Sequence, residues 1–268
     1  MAAGGGGLVG LVALAIFLLT GQDVSGVLPA GEGTAGAGQG VVEECTAEQA
    51  NVDAECRYSA SLQSLDAFWA SSLPAGAAFA APEAVSFTDG VSTGCGQATS
   101  ATGPFYCPAD RTVYLDLAFF DVLRSQLGAT GGSLAEMYVY AHEYGHHVQN
   151  LTGVFDEADR SGGGADSDSV RVELQADCYA GMWAGDAATR VDPDTGVTFL
   201  EPITAEELAQ ALDAAAAVGD DHIQQRSGGG IDPDTWTHGS SEQRQRWFTV
   251  GYEQGSLEAC DTFATQDL

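Results

Sequence analysis

The chain contains no lysine, and its nine arginines stand against 38 Asp and Glu residues, for a formal net charge of −29. Phosphate recognition needs clustered Lys and Arg, so nucleic acid and anionic membrane surfaces are excluded as partners. The plainer reading of this excess of acid is a surface that keeps the chain soluble; repulsion of anionic substrates is the functional alternative. No CxxC pair occurs among the six cysteines, which argues against a thiolate metal site. The uncharged apolar run at residues 8–19, LVGLVALAIFLL, is shorter than the roughly 20 residues of a comfortable transmembrane helix. No internal repeat is visible.

That run suits a signal-peptide core or a short anchor. It is preceded by glycines rather than Lys or Arg, and no small-x-small cleavage site follows, which favours an uncleaved anchor. Residues 1–25 are therefore read as a signal or anchor segment, 26–40 as a Gly/Ala-rich flexible linker, and 41–268 as one folded domain outside the cytoplasm, membrane-anchored or secreted. An even number of cysteines fits that placement. Loop closure favours Cys45–Cys56 and Cys95–Cys107, leaving Cys178–Cys260 to tie a helix to the C-terminus.

Periodicity predicts an α+β fold, mostly helical with a small sheet. Leu62, Leu65, Phe68 and Trp69 recur at helical spacing within 58–72, and Pro74 ends that run. Val85 and Phe87 alternate in a short strand, 94–110 reads as a loop stapled by cysteines, and RTVYLDL (111–117) reads as a second strand. A helix over 118–128 closes on Gly128. The next runs from Leu134 to about Asn150, with Ser133 and Glu136 in a capping-box pattern and Gly153 beyond its end. Further helices are expected at about 170–188, at 204–218 behind the capping box of Thr204 and Glu207, and after Ser240 or Ser241.

The chemistry concentrates in His142-Glu143-Tyr144-Gly145-His146. Residues four apart on a helix share a face, so both imidazoles can converge on one ion. Glu143 then lies beside the metal, where it can take a proton from water. A catalytic zinc needs a third protein ligand and an open position. Metzincins supply theirs through Gly and His at fixed offsets, where this chain has Gln149 and Thr152. The helix about thirty residues downstream offers Glu173, with Asp177 one turn later on the same face. This matches the gluzincin arrangement, in which the Glu ligates and the Asp holds a ligating histidine by a hydrogen bond. An exposed acidic pair is the bland alternative, disfavoured by the apolar Leu174, Ala176 and Ala180 around it.

The strings HEYGHHVQNLTG, ELQADCYAGMWA and THGSSEQRQRWFTVGY, with GPFYCPADRTVYLDLAFF upstream, resemble the bacterial neutral zinc metallopeptidases typified by YpfJ-like proteins, from about residue 80 to 263. The resemblance implies a zincin-like fold, zinc as the metal and an N-terminal membrane segment. The ExxAD pattern is also similar to that of the CAAX-processing gluzincins, which implies a ligand role for Glu173 and a supporting role for Asp177.

The resulting expectation is a zinc metallopeptidase acting on peptides or proteins. His142, His146 and Glu173 would hold Zn2+, Glu143 would be the general base, and His238, just before a helix start, would stabilise the oxyanion. Strand 111–117 would offer its edge to an extended substrate. His147 is read as structural, His222 as a surface residue, and Tyr138 either as cleft lining or as core. Trp183, Trp236 and Trp247 are read as core, and Arg244 and Arg246 as partners for buried carboxylates near the site. The acidic loop at 156–168 lacks EF-hand spacing and reads as solvated. The rival from another class is an extracytoplasmic binding module with a non-catalytic zinc; a third option is a metallohydrolase acting on other bonds.

Overall fold

The computed structural model describes residues 39–41, 45–74, 77–193 and 195–268. The apolar segment 1–25 and most of the expected linker lie outside the described residues. Gln39 and Gly40, at the linker's end, belong to a strand, β1 (Gln39–Val41). Among the described residues no helix is long and apolar enough to cross a membrane.

A short helix, α1 (Ala47–Ala50), precedes α2 (Ala54–Ser72). Asp53 starts α2 by accepting from the Cys56 N–H at 2.9 Å, a turn ahead of the periodic stretch. Five strands follow: β2 (Glu83–Phe87), β3 (Gly90–Thr93), β4 (Gly96–Thr99), β5 (Phe105–Cys107) and β6 (Thr112–Asp116). The larger sheet has the order β1-β2-β6-β5, with β2 and β6 parallel and the other pairs antiparallel; β3 and β4 form a separate hairpin.

Two expectations need correcting here. The segment 94–110 is not merely a loop, for it contains β4 and β5; its Gly, Ser and Thr residues sit in short strands, with Gly96 turning at φ 122°. The 111–117 strand, as β6, is paired on both sides by β2 and β5 and has no free edge, so the edge at this end of the sheet is β5. All three expected disulfides are present: Cys45–Cys56, Cys95–Cys107 and Cys178–Cys260.

The rest is helical: α3 (Phe119–Ser125), α4 (Ser133–Thr152), α5 (Val154–Glu157), α6 (Asp168–Ala187), α7 (Ala205–Ala217), α8 (Asp220–Arg226) and α9 (Ser241–Gln254), with a 3-10 turn at Pro233–Thr235. Thr204 and Ser240 cap α7 and α9 in reciprocal capping boxes. The box expected at Ser133 does not form. Gly132, at φ 123°, is the N-cap, and the Glu136 carboxylate is taken by Arg57 from α2 and approached by Arg124 at 3.6 Å. A tertiary ion pair has displaced a local cap.

Helices α4 and α9 both pack on α6. The α6–α9 crossing is set by glycine. A Cβ on Gly181 would lie 2.0 Å from the Phe248 carbonyl oxygen, and one on Gly251 would lie 1.9 Å from that of Cys178. Backbone meets backbone there, so no rotamer change can make room. Gly251→Ala is expected to destabilise the chain by about 2–3 kcal/mol, read as a lowered denaturant midpoint at constant slope. At the α4–α6 crossing Gly145, between the two motif histidines, lies with its would-be Cβ 3.1 Å from the Ala176 Cα. The small residue inside the motif is what lets the two helices approach.

Candidate metal centre and cleft

Helix α4 presents His142, Glu143 and His146, and α6 presents Glu173 opposite them. One donor atom from each of His142, His146 and Glu173 lies within 4.8 Å of the others. His142 Nε2 is 3.1 Å from Glu173 Oε2, and His146 Nε2 is 3.5 Å from Glu173 Oε1. The other nitrogen of each ring is already committed. His142 Nδ1 donates to Asp177 Oδ1 at 2.8 Å, and His146 Nδ1 donates to Gln149 Oε1 at 2.8 Å. In each ring Nδ1 is thereby engaged away from Glu173, and Nε2 is the nitrogen turned toward its carboxylate, the atom by which each histidine would hold a metal. Two imidazole nitrogens and one carboxylate oxygen fit zinc, and among the described residues no thiolate or all-oxygen cluster accompanies them.

Gln149 was legible only as the place where another class carries a glycine. It is fully buried, and its amide nitrogen donates to the Val172 carbonyl at 2.7 Å and to Gln175 Oε1 at 3.0 Å. It therefore orients His146 and clamps α4 to α6 together. Its i+3 spacing from His146 was the available signal.

Asp177 is fully buried and accepts four hydrogen bonds. Besides the one from His142, Tyr138 Oη donates at 2.6 Å, Arg244 Nε at 2.8 Å and Arg244 Nη2 at 2.9 Å. Burial alone would raise its pKa, but Arg244 and His142 hold it below the usual carboxylate range. Tyr138 thus supports the site from the core rather than lining it alone. Of the two arginines singled out, Arg244 meets the buried carboxylate, while Arg246 pairs with exposed Asp267 at 2.8 Å away from it.

Glu143 lines the same cleft, between the two ligand candidates in sequence. Burial pushes its carboxyl up, against the opposing pull of His142 and His146. Glu173 goes the other way. Burial opposes its charge, yet His146, His238 and His142 hold it well below the usual range.

His238 also lines the cleft. Its loop is pinned by Asp220, a fully buried residue at the start of α8. Asp220 Oδ2 accepts from the backbone N–H groups of Thr237, His238 and Gly239 at 2.8, 2.7 and 3.0 Å, and Oδ1 lies 3.5 Å from His238 Nδ1. Although burial works to lower the His238 pKa, Glu173 and Asp220 raise it. Asp220 was not singled out in the sequence, where it is one of many acidic residues.

The remaining histidines are structural. His147 Nε2 donates to the Ala80 carbonyl at 2.7 Å, with Tyr106 Oη 3.0 Å from Nδ1. His222, expected at the surface, is half-buried and donates to the Leu127 carbonyl at 2.7 Å. Trp183, Trp236 and Trp247 are core residues.

The cleft in front of these groups has a volume of about 420 Å³. One wall is the β4–β5 region, including Phe105 and Tyr106; the other includes Phe155 and Arg160 beyond the end of α4.

Two imidazoles from one helix and a carboxylate from its neighbour form the donor set of His2Glu zinc proteins. Over residues 1–263 the chain matches the family described as "Putative neutral zinc metallopeptidase", and it belongs to that family. It is 52% identical over 223 residues to the uncharacterized protein Rv2575 of Mycobacterium tuberculosis (strain ATCC 25618 / H37Rv), spanning 83% of this chain and 75% of that protein. It is 43% identical over 193 residues to the uncharacterized protein YpfJ of Escherichia coli (strain K12), spanning 70% of this chain and 63% of that one. No solved structure matches it.

Proposed function

We propose that the chain is a zinc-dependent, zincin-like metallopeptidase whose residues 41–268 form the catalytic unit. The observation that carries this reading is the convergence of His142, His146 and Glu173 within 4.8 Å, with the Nδ1 of each imidazole held by a neighbour so that Nε2 faces Glu173, and Glu143 lining the same cleft. Among the described residues the group comprises three protein donors, whereas non-catalytic zinc sites are closed by four. That count favours an enzyme over a binding module.

Zinc held by those three residues supplies Lewis acidity toward water and a peptide carbonyl. Glu143, kept receptive to a proton by its burial, takes one from the attacking water and returns it to the departing amine. His238, held at the cleft by Asp220, donates to the oxyanion that develops on the carbonyl. The edge of β5, unpaired among the described residues and in the cleft wall, aligns an extended peptide by strand addition. Asp177, Arg244 and Gln149 hold the histidines still while this happens.

Three disulfides are in keeping with a compartment outside the cytoplasm. There residues 1–25 would deliver the chain or anchor it, and its substrates would be exported or surface peptides and proteins.

Digestion of a denatured protein or a peptide library tests the reading. Cleavage is expected from the purified chain, lost with a chelator and regained on adding zinc. Zinc-independent cleavage, or none with one zinc bound per chain, would overturn it.

A further inference from the structure

Cations are scarce in this protein, so their placement is informative. Two arginines line the cleft, Arg244 and Arg160. Arg244 is buried and spent on Asp177. Arg160 is exposed, and among the described residues it forms no ion pair. Instead its guanidinium lies over the Phe155 ring, 4.1 Å from the centroid. The Phe155 ring is in turn 6.1 Å, centroid to centroid, from His146. A cation over a ring keeps its N–H donors available for a second partner, and Arg160 lines the cleft.

The loop that carries Arg160 is held in place. The Asp159 N–H donates to Asp168 Oδ2 at 2.9 Å and the Ser169 hydroxyl to the Gly162 carbonyl at 2.9 Å. The Gly164 N–H donates to the Trp236 carbonyl at 2.7 Å, which ties this wall to the segment bearing His238. The guanidinium is therefore presented by an anchored wall, at most about 10 Å from the His146 ring.

We propose that Arg160, stacked on Phe155, is a carboxylate-recognition subsite, so that the preferred substrates are peptides with a carboxylate close to the scissile bond. The proposal rests on the metallopeptidase reading of the site and names its substrate class. An extended chain advances about 3.3–3.6 Å per residue, so the carboxylate falls within about three residues of the cleaved bond. It comes from an Asp or Glu side chain or from the substrate's own C-terminus. The guanidinium fork matches either in a bidentate pair. The acidic surface does not forbid this. Its long-range repulsion is screened over about 8 Å at physiological ionic strength, while a contact pair at the cleft is screened far less.

The test uses the zinc-loaded full chain and matched quenched-fluorescence peptides. Members of a pair differ by Glu or Gln at each position near the cleaved bond, or by a free or amidated C-terminus. Wild type is expected to favour the carboxylate member at one position by about two- to fivefold in kcat/KM. Arg160→Gln should bring that ratio to about one, Arg160→Lys should leave an intermediate ratio, and Arg160→Glu should invert it. Preference confined to the free C-terminus assigns a terminal carboxylate; preference within the chain assigns a side chain. Cleavage with no charge preference, with a preference for basic peptides, or with a ratio untouched by Arg160→Gln overturns the proposal and leaves the peptidase reading standing. Failure of the wild type to cleave any peptide overturns both.

Discussion

Glu143→Gln is expected to lower kcat/KM for peptide hydrolysis by about a thousandfold while one zinc per chain is retained. The substitution keeps the shape and the polar oxygen of the side chain and removes only its ability to hold a proton. Glu143 does not belong to the trio of converging donors, so metal content should not follow activity. The direction of its pKa matters to this argument. A fully solvated carboxylate is a weak base near neutral pH, and burial raises the proton affinity of Glu143 toward the range in which a general base works best. Metal analysis beside initial rates on one peptide decides the matter. Turnover within tenfold of wild type would move the base elsewhere, with His238 the first candidate, as it lines the same cleft. Loss of zinc together with activity would instead place Glu143 among the ligands.

Much of this site was legible because helical spacing is a local property. His142 with His146, and Glu173 with Asp177, are each four residues apart, and a helix turns that spacing into a shared face whatever the rest of the chain does. Contacts decided by distant partners were not legible. Ser133 and Glu136 carry a good capping pattern, yet Arg57 from α2 takes the Glu136 carboxylate, and no inspection of 133–136 could show it. The edge of the sheet failed for a similar reason. The residues of β6 announce a strand, but which strands flank it depends on a parallel pairing with β2 across the β3–β4 hairpin and β5. The weak β character of 94–110 hid two short strands, because Gly, Ser and Thr mark turns and small strands alike. Asp220 escaped because its work is to collect three backbone N–H groups from a loop seventeen to nineteen residues later, as only the folded chain shows.

The supporting network is the other place where a single change should have a large effect. Arg244→Met is expected to destabilise the chain by about 3–5 kcal/mol and to weaken zinc binding by about 10- to 100-fold. Arg244 closes a bidentate pair on Asp177 with both side chains buried, 3% and 0% exposed as residues. Its removal leaves a buried carboxylate with only Tyr138 and His142 as donors, and a charge without its cation. Lysine should not rescue, because a point charge cannot reproduce the two-pronged contact. The pH dependence supplies a second readout. In the wild type the Asp177 pKa is lowered, so its contribution is present above the unfolded carboxylate range and is lost as pH falls through the folded value. Without Arg244, burial dominates and the same pKa rises, so acid protonates Asp177 and relieves the buried charge; the gap between variant and wild type should narrow as pH drops. Adding Asp177→Asn to Arg244→Met removes that charge at every pH while keeping an oxygen for His142 Nδ1. The double variant should therefore be more stable at neutral pH than Arg244→Met alone, and its denaturation midpoint should lose the single variant's pH dependence. A single variant within about 1 kcal/mol of wild type at neutral pH would show that water or local relaxation satisfies Asp177, and that Arg244 is dispensable for holding His142.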